Sequence, residues 1–202
     1  MRDPLGRVFP GLPHRWRVVL DWVFTIGGAV LVVLALKAWV VNPYRIPSSS
    51  MEPTLHCAKP GDECEGSFND RVIADRLSYV FGSPKRGQIV VFKAPAKASQ
   101  CGARDGGTTF VKRLIGLPGD LVAERGGYVY INGKKLDEPY VEPQMRDTYT
   151  RSYGRVPQGE YFFMGDNRAF SCDSRTWGAV PRKSLIGRVV LTYFPFDRIG
   201  LH

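Results

Sequence analysis

Histidine is scarce in this chain, with three in 202 residues: His14, His56 and His202. His202 is the last residue, where chains usually fray, and His14 lies ahead of a long apolar run. His56 stands near a run of serines, but no acidic partner to orient it is evident from the pattern. A Ser-His-Asp triad is thus poorly supplied, and no G-x-S-x-G elbow occurs. The four cysteines, Cys57, Cys64, Cys101 and Cys172, lack C-x2-C spacing, which argues against a four-thiolate zinc site without removing it as an alternative. No helix-turn-helix, zinc-finger spacing or RNA-binding aromatic signature stands behind the formal net charge of +9. Nucleic acid is therefore not expected as a partner, and a surface facing anionic lipid accounts better for the sign. The sequence shows no internal repeat and no long amphipathic helix beyond residue 42.

What the chain does have is a single long apolar run. Trp22 to Val41 reads WVFTIGGAVLVVLALKAWVV, with Lys37 as its one charge. A helix of that length just crosses a hydrocarbon layer of about 30 Å. Trp16 and Trp22 at one end and Trp39 and Tyr44 at the other suit interface anchors, and Lys37 can extend toward water. The alternatives are a buried helix of a soluble domain and a cleaved secretory signal. An apolar surface on every face argues against the first. Against the second, the run is long and no clean small-x-small cleavage site follows it. Arg2, Arg7, Arg15 and Arg17 precede the run, and only Arg45 and Lys59 follow closely, so the positive-inside rule places the N-terminus in the cytoplasm. The expected organisation is a cytoplasmic segment at 1–16, a transmembrane anchor at 17–41 and an extracytoplasmic domain at 42–202 of a single-pass protein in the cell membrane. Such a location permits disulfides. Three pairings exist; Cys57 with Cys64 is the local one and leaves Cys101 with Cys172.

Apolar residues make up 44% of the chain and charged residues 23%, enough for a packed core. After Asn42 the pattern is of short strands separated by turns: Gln88 to Lys93, Phe110 to Ile115, Tyr128 to Ile131, Glu160 to Met164 and Gly187 to Tyr193. Asn132-Gly133 signals a two-residue hairpin. Cys57 to Asp70, Ala94 to Thr109 and Asp137 to Thr150 read as loops. The fold class predicted is mainly β: small curved antiparallel sheets in one extracytoplasmic domain, preceded by a single N-terminal transmembrane helix.

Directly after the apolar run comes YRIPSSSMEPTL, Tyr44 to Leu55, three serines held between Pro47 and Pro53. The two prolines stiffen the turn. A serine hydroxyl needs a neighbour to take its proton. With histidine poorly placed, a desolvated lysine is the other base, because burial lowers an amine's pKa from about 10.4 by up to roughly 3–5 units. Lys59, Lys85, Lys134 and Lys135 sit in polar turns, and Lys93 ends a strand. Lys112 lies mid-strand in FVKRLI, on one face with Phe110 and Leu114, while Val111, Arg113 and Ile115 share the other. The alternative for Lys112 is an edge-strand lysine that discourages aggregation.

PSSSMEPTL, KRLIGLPGD and GDNRAFSCDSR, in that order and behind an apolar anchor, resemble the successive sequence boxes of bacterial type I signal peptidases (leader peptidases). The matching stretches fall between Ile46 and Arg175, most of the outer domain. The resemblance implies a serine endopeptidase with a serine/lysine dyad that removes signal peptides from secreted precursors. It assigns Ser50 as nucleophile, Lys112 as general base, Ser48 as the hydroxyl that completes an oxyanion hole with the Ser50 backbone N–H, and Ser171 as the residue orienting the lysine. It further implies an ion pair of Asp173 with Arg175 in support of the site, and a structural place for Asp166. A carboxylate dyad of Asp166 and Asp173 is the alternative for those two acids. Ser49 is given no role, and Asp120 reads as a turn acid. Gln88 departs from the acidic residue common in the family after Arg-Gly, and the Cys57–Asp70 loop is unusual for it.

The resemblance also implies that substrate lies as an added strand between Ile46–Ser50 and Phe110–Lys112. Ile46, Met51, Leu55, Phe110 and Val111 are the candidates for shallow pockets that accept alanine. No cofactor or metal is called for. The partners expected are signal peptides of secreted precursors, membrane lipid and the secretion machinery. Two further readings stay open: a membrane-tethered β-domain that only binds, and a serine/lysine protease with one dedicated substrate.

Overall fold

The computed structural model describes residues 13–39, 41–101 and 108–202. The chain divides into two compact units, Met1–Val41 and Asn42–His202. In the first, helix α1 spans His14–Trp39, about 39 Å at 1.5 Å per residue. Trp22, Phe24, Leu31 and Val33 of α1 are exposed. Among the described residues no helix is long and apolar enough to cross a membrane. Residues 1–12, which carry Arg2 and Arg7 of the expected cytoplasmic segment, lie outside those described, as do the side chains of Arg17 and of 35–41 in the expected anchor.

The second unit is mainly β and antiparallel, as the strand pattern predicts. Its strands are β1 (Val41–Arg45), β2 (Arg71–Asp75), β3 (Ile89–Lys93), β4 (Thr109–Gly116), β5 (Leu121–Arg125), β6 (Tyr128–Ile131), β7 (Lys134–Lys135), β8 (Arg151–Arg155), β9 (Glu160–Met164), β10 (Val180–Pro181), β11 (Leu185–Phe194) and β12 (Gly200–Leu201). The larger sheet runs β1-β2-β11-β3-β4-β9-β10, with β12 added to β11; the smaller runs β7-β6-β5-β8. Two short α-helices, α2 (Leu77–Phe81) and α3 (Ser174–Trp177), lie among the strands.

Side-chain alternation explains how these strands build three cores. In β3, Ile89 and Val91 face one way and join Ile46, Met51, Leu55, Val72, Ala74 and Val189. Val90 and Phe92 face the other way and join Leu114, Phe163, Trp177 and Val180. A strand buried on both faces reads as an unbroken apolar run, which is what IVVF is. The same split occurs in β9: Tyr161 and Phe163 enter the second core, whereas Phe162 and Met164 enter a third with Ile115, Val122, Val129 and Ile131. That third core lies between the two sheets.

The five strands expected from sequence are present within two residues at each end. Strands β1, β2, β5, β8, β10 and β12 were not expected. RSYGR of β8 is polar because it edges the smaller sheet, pairing with β5 alone, so little of it needs to be apolar. The Asn132-Gly133 hairpin is formed: both residues have positive φ, 51° and 81°, the backbone a type I′ turn requires. Both disulfides follow the local pairing, Cys57–Cys64 and Cys101–Cys172. The Ala94–Thr109 loop opens with a 3₁₀ segment at Ala96–Cys101, and its residues 102–107 are outside those described.

Candidate active site

Ser50 sits in a single 3₁₀ turn, Ser49–Met51, just after Pro47. The turn is closed by the Glu52 N–H on the Ser49 carbonyl at 3.0 Å and followed by the Leu55 N–H on the Met51 carbonyl at 2.8 Å. Ile46, Met51 and Leu55 fix it from below, each 0–2% exposed in the first core. These three are the residues expected to line shallow substrate pockets, and in the folded domain they pack together beneath the nucleophile turn. Phe110 and Val111 keep part of their surface exposed, although Phe110 also stacks on Trp177 with ring centroids 4.9 Å apart.

Lys112 is on β4, paired with β3 opposite the fully buried Val90 and just ahead of the stretch that β9 covers, Arg113–Gly116. Its burial, rather than its pairing, distinguishes it from a solvent-facing edge lysine. Its side chain is 2% exposed, and its Nζ donates a hydrogen bond to Ser50 Oγ. The Phe110 ring, on the same face, has its centroid 5.8 Å from Nζ. Burial pushes the Lys112 amine down to about 8, against an upward pull from Asp173 and Asp166 and with a downward one from Arg175. Ser48 Oγ is 3.4 Å from Ser50 Oγ, on the exposed side.

Strand β9 pairs with β4 only from Arg113 to Gly116. Beyond Met164 the chain leaves the sheet and crosses the nucleophile turn, where the Asn167 N–H donates to the Ser50 carbonyl at 3.3 Å. Gly165 makes the crossing: a Cβ there would overlap the Ser50 carbonyl and Ser171 Oγ. Nothing in the sequence reading singled out Gly165 or Asn167. The GD pair after an apolar strand was the available signal, since glycine is favoured where backbone must approach closely.

Asp173 is the hub of this loop. It is fully buried and accepts from Ser171 Oγ at 2.7 Å, from the Gly165 N–H at 3.0 Å and from Arg175 NH2 at 2.9 Å. Its second oxygen caps α3 through the Arg175 N–H at 3.1 Å. Burial would raise the Asp173 carboxyl, but Arg175 and these donors hold it below the ordinary carboxylate range. The hydrogen bond of Ser171 goes to this carboxylate, so Ser171 is tied to the wall beside the lysine. Arg175 also bonds the Arg168 and Ser171 carbonyls at 2.8 and 3.1 Å, and pairs with Asp147.

Asp166 and Asp173 each have their own arginine. Arg113, next to Lys112 but on the opposite face, holds Asp166 through Nε at 2.8 Å and NH2 at 2.5 Å, with Thr54 Oγ1 on the same carboxylate at 2.6 Å. This links β4, the loop after β9 and the segment after the nucleophile turn. Arg168 is fully buried against Glu138. Asp120 is a turn acid, accepting from the Leu117 N–H at 2.7 Å and from Arg86 at 2.8 Å.

A buried amine on a serine hydroxyl, within an antiparallel β-domain, is an arrangement suited to acyl transfer. The comparisons agree with that class. The family model described as signal peptidase, peptidase S26, matches residues 19–194. A probable signal peptidase I-2 of Synechocystis sp. is 41% identical over 88% of this chain and 74% of its own length. The signal peptidase I of Leptolyngbya laminosa is 38% identical over 90% and 83%, and that of Bacillus licheniformis 35% over 90% and 91%. The crystal structure of a signal peptidase I from Enterococcus faecalis V583 is 34% identical, covering 52% of this chain and 96% of that one, with a TM-score of 0.43. The chain belongs to the signal peptidase family, peptidase S26. It is a serine endopeptidase, a hydrolase of peptide bonds.

Proposed function

We propose that the protein is a membrane-anchored peptidase that removes signal peptides from secreted precursors, with Ser50 as nucleophile and neutral Lys112 as its base. The observation that carries this reading is the buried Lys112 Nζ bonded to Ser50 Oγ. The amine accepts the hydroxyl proton as Ser50 Oγ attacks the scissile carbonyl. It then returns that proton to the leaving amine, and water repeats the sequence on the ester. The Ser50 N–H and Ser48 hydroxyl are the donors for the oxyanion, preset so that they need not reorganise. Asp173, with Ser171 and Arg175, holds the wall against which the lysine rests.

Substrate enters as an added strand. Among the described pairings, β9 covers β4 only over Arg113–Gly116, while Thr109–Lys112 pairs on its other side with β3. The uncovered edge ends beside Ser50, and an extended peptide can bond to it. Ile46, Met51, Leu55, Phe110 and Val111 are the candidates for its shallow pockets. The anchor is α1 with its exposed apolar side chains and the run through Val41. It is single-pass with its N-terminus in the cytoplasm, which keeps the site beside membrane lipid and the emerging precursor, near the secretion machinery.

The test is incubation of the detergent-solubilised protein with a precursor whose signal ends in Ala-x-Ala, followed by mapping of the cut. Wild type cleaves after the second alanine. Ser50→Ala and Lys112→Ala abolish cleavage with unfolding behaviour still cooperative. Normal processing by Lys112→Ala would sink the mechanism.

A further inference from the structure

On the far side of the nucleophile turn, the chain brings together three side chains that the peptidase reading does not use: Glu52, His56 and Glu65. One donor atom from each lies within 4.8 Å of the others. Glu52 is fully buried. Its Oε1 accepts the Cys57 N–H at 2.9 Å and the Glu65 N–H at 3.1 Å. Its Oε2 is buried with no hydrogen-bond partner and is 3.5 Å from His56 Nε2. A carboxylate oxygen out of water and without a donor is costly and calls for a counter-charge. The nearby guanidinium of Arg198 is committed to Asp70, at 3.1 Å, and to the Thr54 carbonyl.

The backbone carrying these donors is held in advance. The Cys57–Cys64 disulfide joins the residue after His56 to the residue before Glu65. The Lys59 N–H bonds the Gly66 carbonyl at 2.9 Å, and the Gly66 N–H bonds the Cys57 carbonyl at 3.0 Å. The His56 N–H is fixed on Asp70 Oδ2 at 2.9 Å. We infer that Glu52 Oε2, His56 Nε2 and a Glu65 carboxylate oxygen bind one divalent transition-metal ion, with zinc the best match. Two carboxylates and one imidazole suit a borderline cation rather than calcium or magnesium, which prefer oxygen alone. Tetrahedral bonds of about 2.0–2.1 Å place ligand atoms roughly 3.3 Å apart. Glu65 is exposed, so its carboxylate can close the roughly 1.5 Å between the 4.8 Å spread and that spacing, and water completes the shell. The ion clamps the unusual loop to the segment that follows the nucleophile turn. This inference stands independently of the peptidase mechanism.

The experiment uses the full chain in detergent, stripped with chelator and titrated with zinc chloride by calorimetry and against a chromogenic indicator. One ion binds per chain, and the thermal midpoint rises with free zinc. His56→Ala and Glu65→Gln each weaken uptake by about tenfold or more and blunt the midpoint shift. Glu65→Gln changes an exposed side chain, so it keeps the test decisive if replacement of buried Glu52 prevents folding. No zinc uptake by wild type leaves only an ion pair of His56 with Glu52 and overturns the proposal. Uptake that both variants leave unchanged places the ion elsewhere and overturns it equally.

Discussion

Replacing Lys112 by methionine tests two consequences of one buried amine. The amine lies at about 8, down from 10.5, with burial as the main cause. At pH 7 about one molecule in ten then has it neutral, against roughly one in three thousand for a free lysine. Activity as kcat/KM therefore rises about tenfold per pH unit on the acidic side and levels near pH 8. Stability moves with the same proton. Below about pH 8, folded and unfolded chains both carry it. Between about 8 and 10.5 only the unfolded chain does, so stability rises with pH across that window by roughly 3 kcal/mol. At neutral pH the wild type thus bears that cost, and Lys112→Met, which fills similar space without charge, removes up to ~3 kcal/mol of it. The gain is reduced by the lost bond to Ser50 and fades above pH 10. Denaturant unfolding of both proteins at about pH 7 and pH 10 reads the stability, and a fluorogenic peptide reads the activity. An acidic limb centred near 10, or a Lys112→Met advantage that does not shrink with rising pH, would refute the reasoning.

Other perturbations separate the parts of the site. Ser48→Ala should lower kcat by about 10²–10³-fold with little change in KM, the loss of one oxyanion donor; an unchanged kcat removes Ser48 from the mechanism. Gly165→Ala drives a methyl group into the Ser50 carbonyl and the Ser171 hydroxyl, so it should cost about 1–3 kcal/mol and most of the activity, measured by unfolding and cleavage on one preparation. By loop length, with separations of 71 and 7 residues, losing Cys101–Cys172 should cost about 4 kcal/mol and losing Cys57–Cys64 about 2 kcal/mol. Paired Cys→Ser variants compared by denaturant midpoint check that order.

Much of this was legible along the chain because the information was local. Alternation alone set Lys112 on one face with Phe110 and Leu114 and Arg113 on the other, and both placements hold. Asn132-Gly133 specified its own turn through backbone sterics. The packing beneath the nucleophile was less legible. Ile46, Met51 and Leu55 look like any apolar residues beside a nucleophile, and only the packing of β2, β3 and β11 beneath the turn makes them core. Likewise Arg113 reads as a charge in a strand until Asp166, 53 residues on, is seen to meet it.

Chain order and residue type were enough to determine that a β-domain follows an apolar helix, that three serines stand in a stiff turn, and which lysine is flanked by apolar groups. These depend on periods of two or on bends a few bonds long. Only the tertiary structure decided that the amine meets the hydroxyl, that the loop after β9 closes over the turn through Gly165, and that Glu52, His56 and Glu65 converge. Each of those contacts joins atoms that the order of strands in the sheet or a closed loop brings together, and neither is written in any short stretch of sequence.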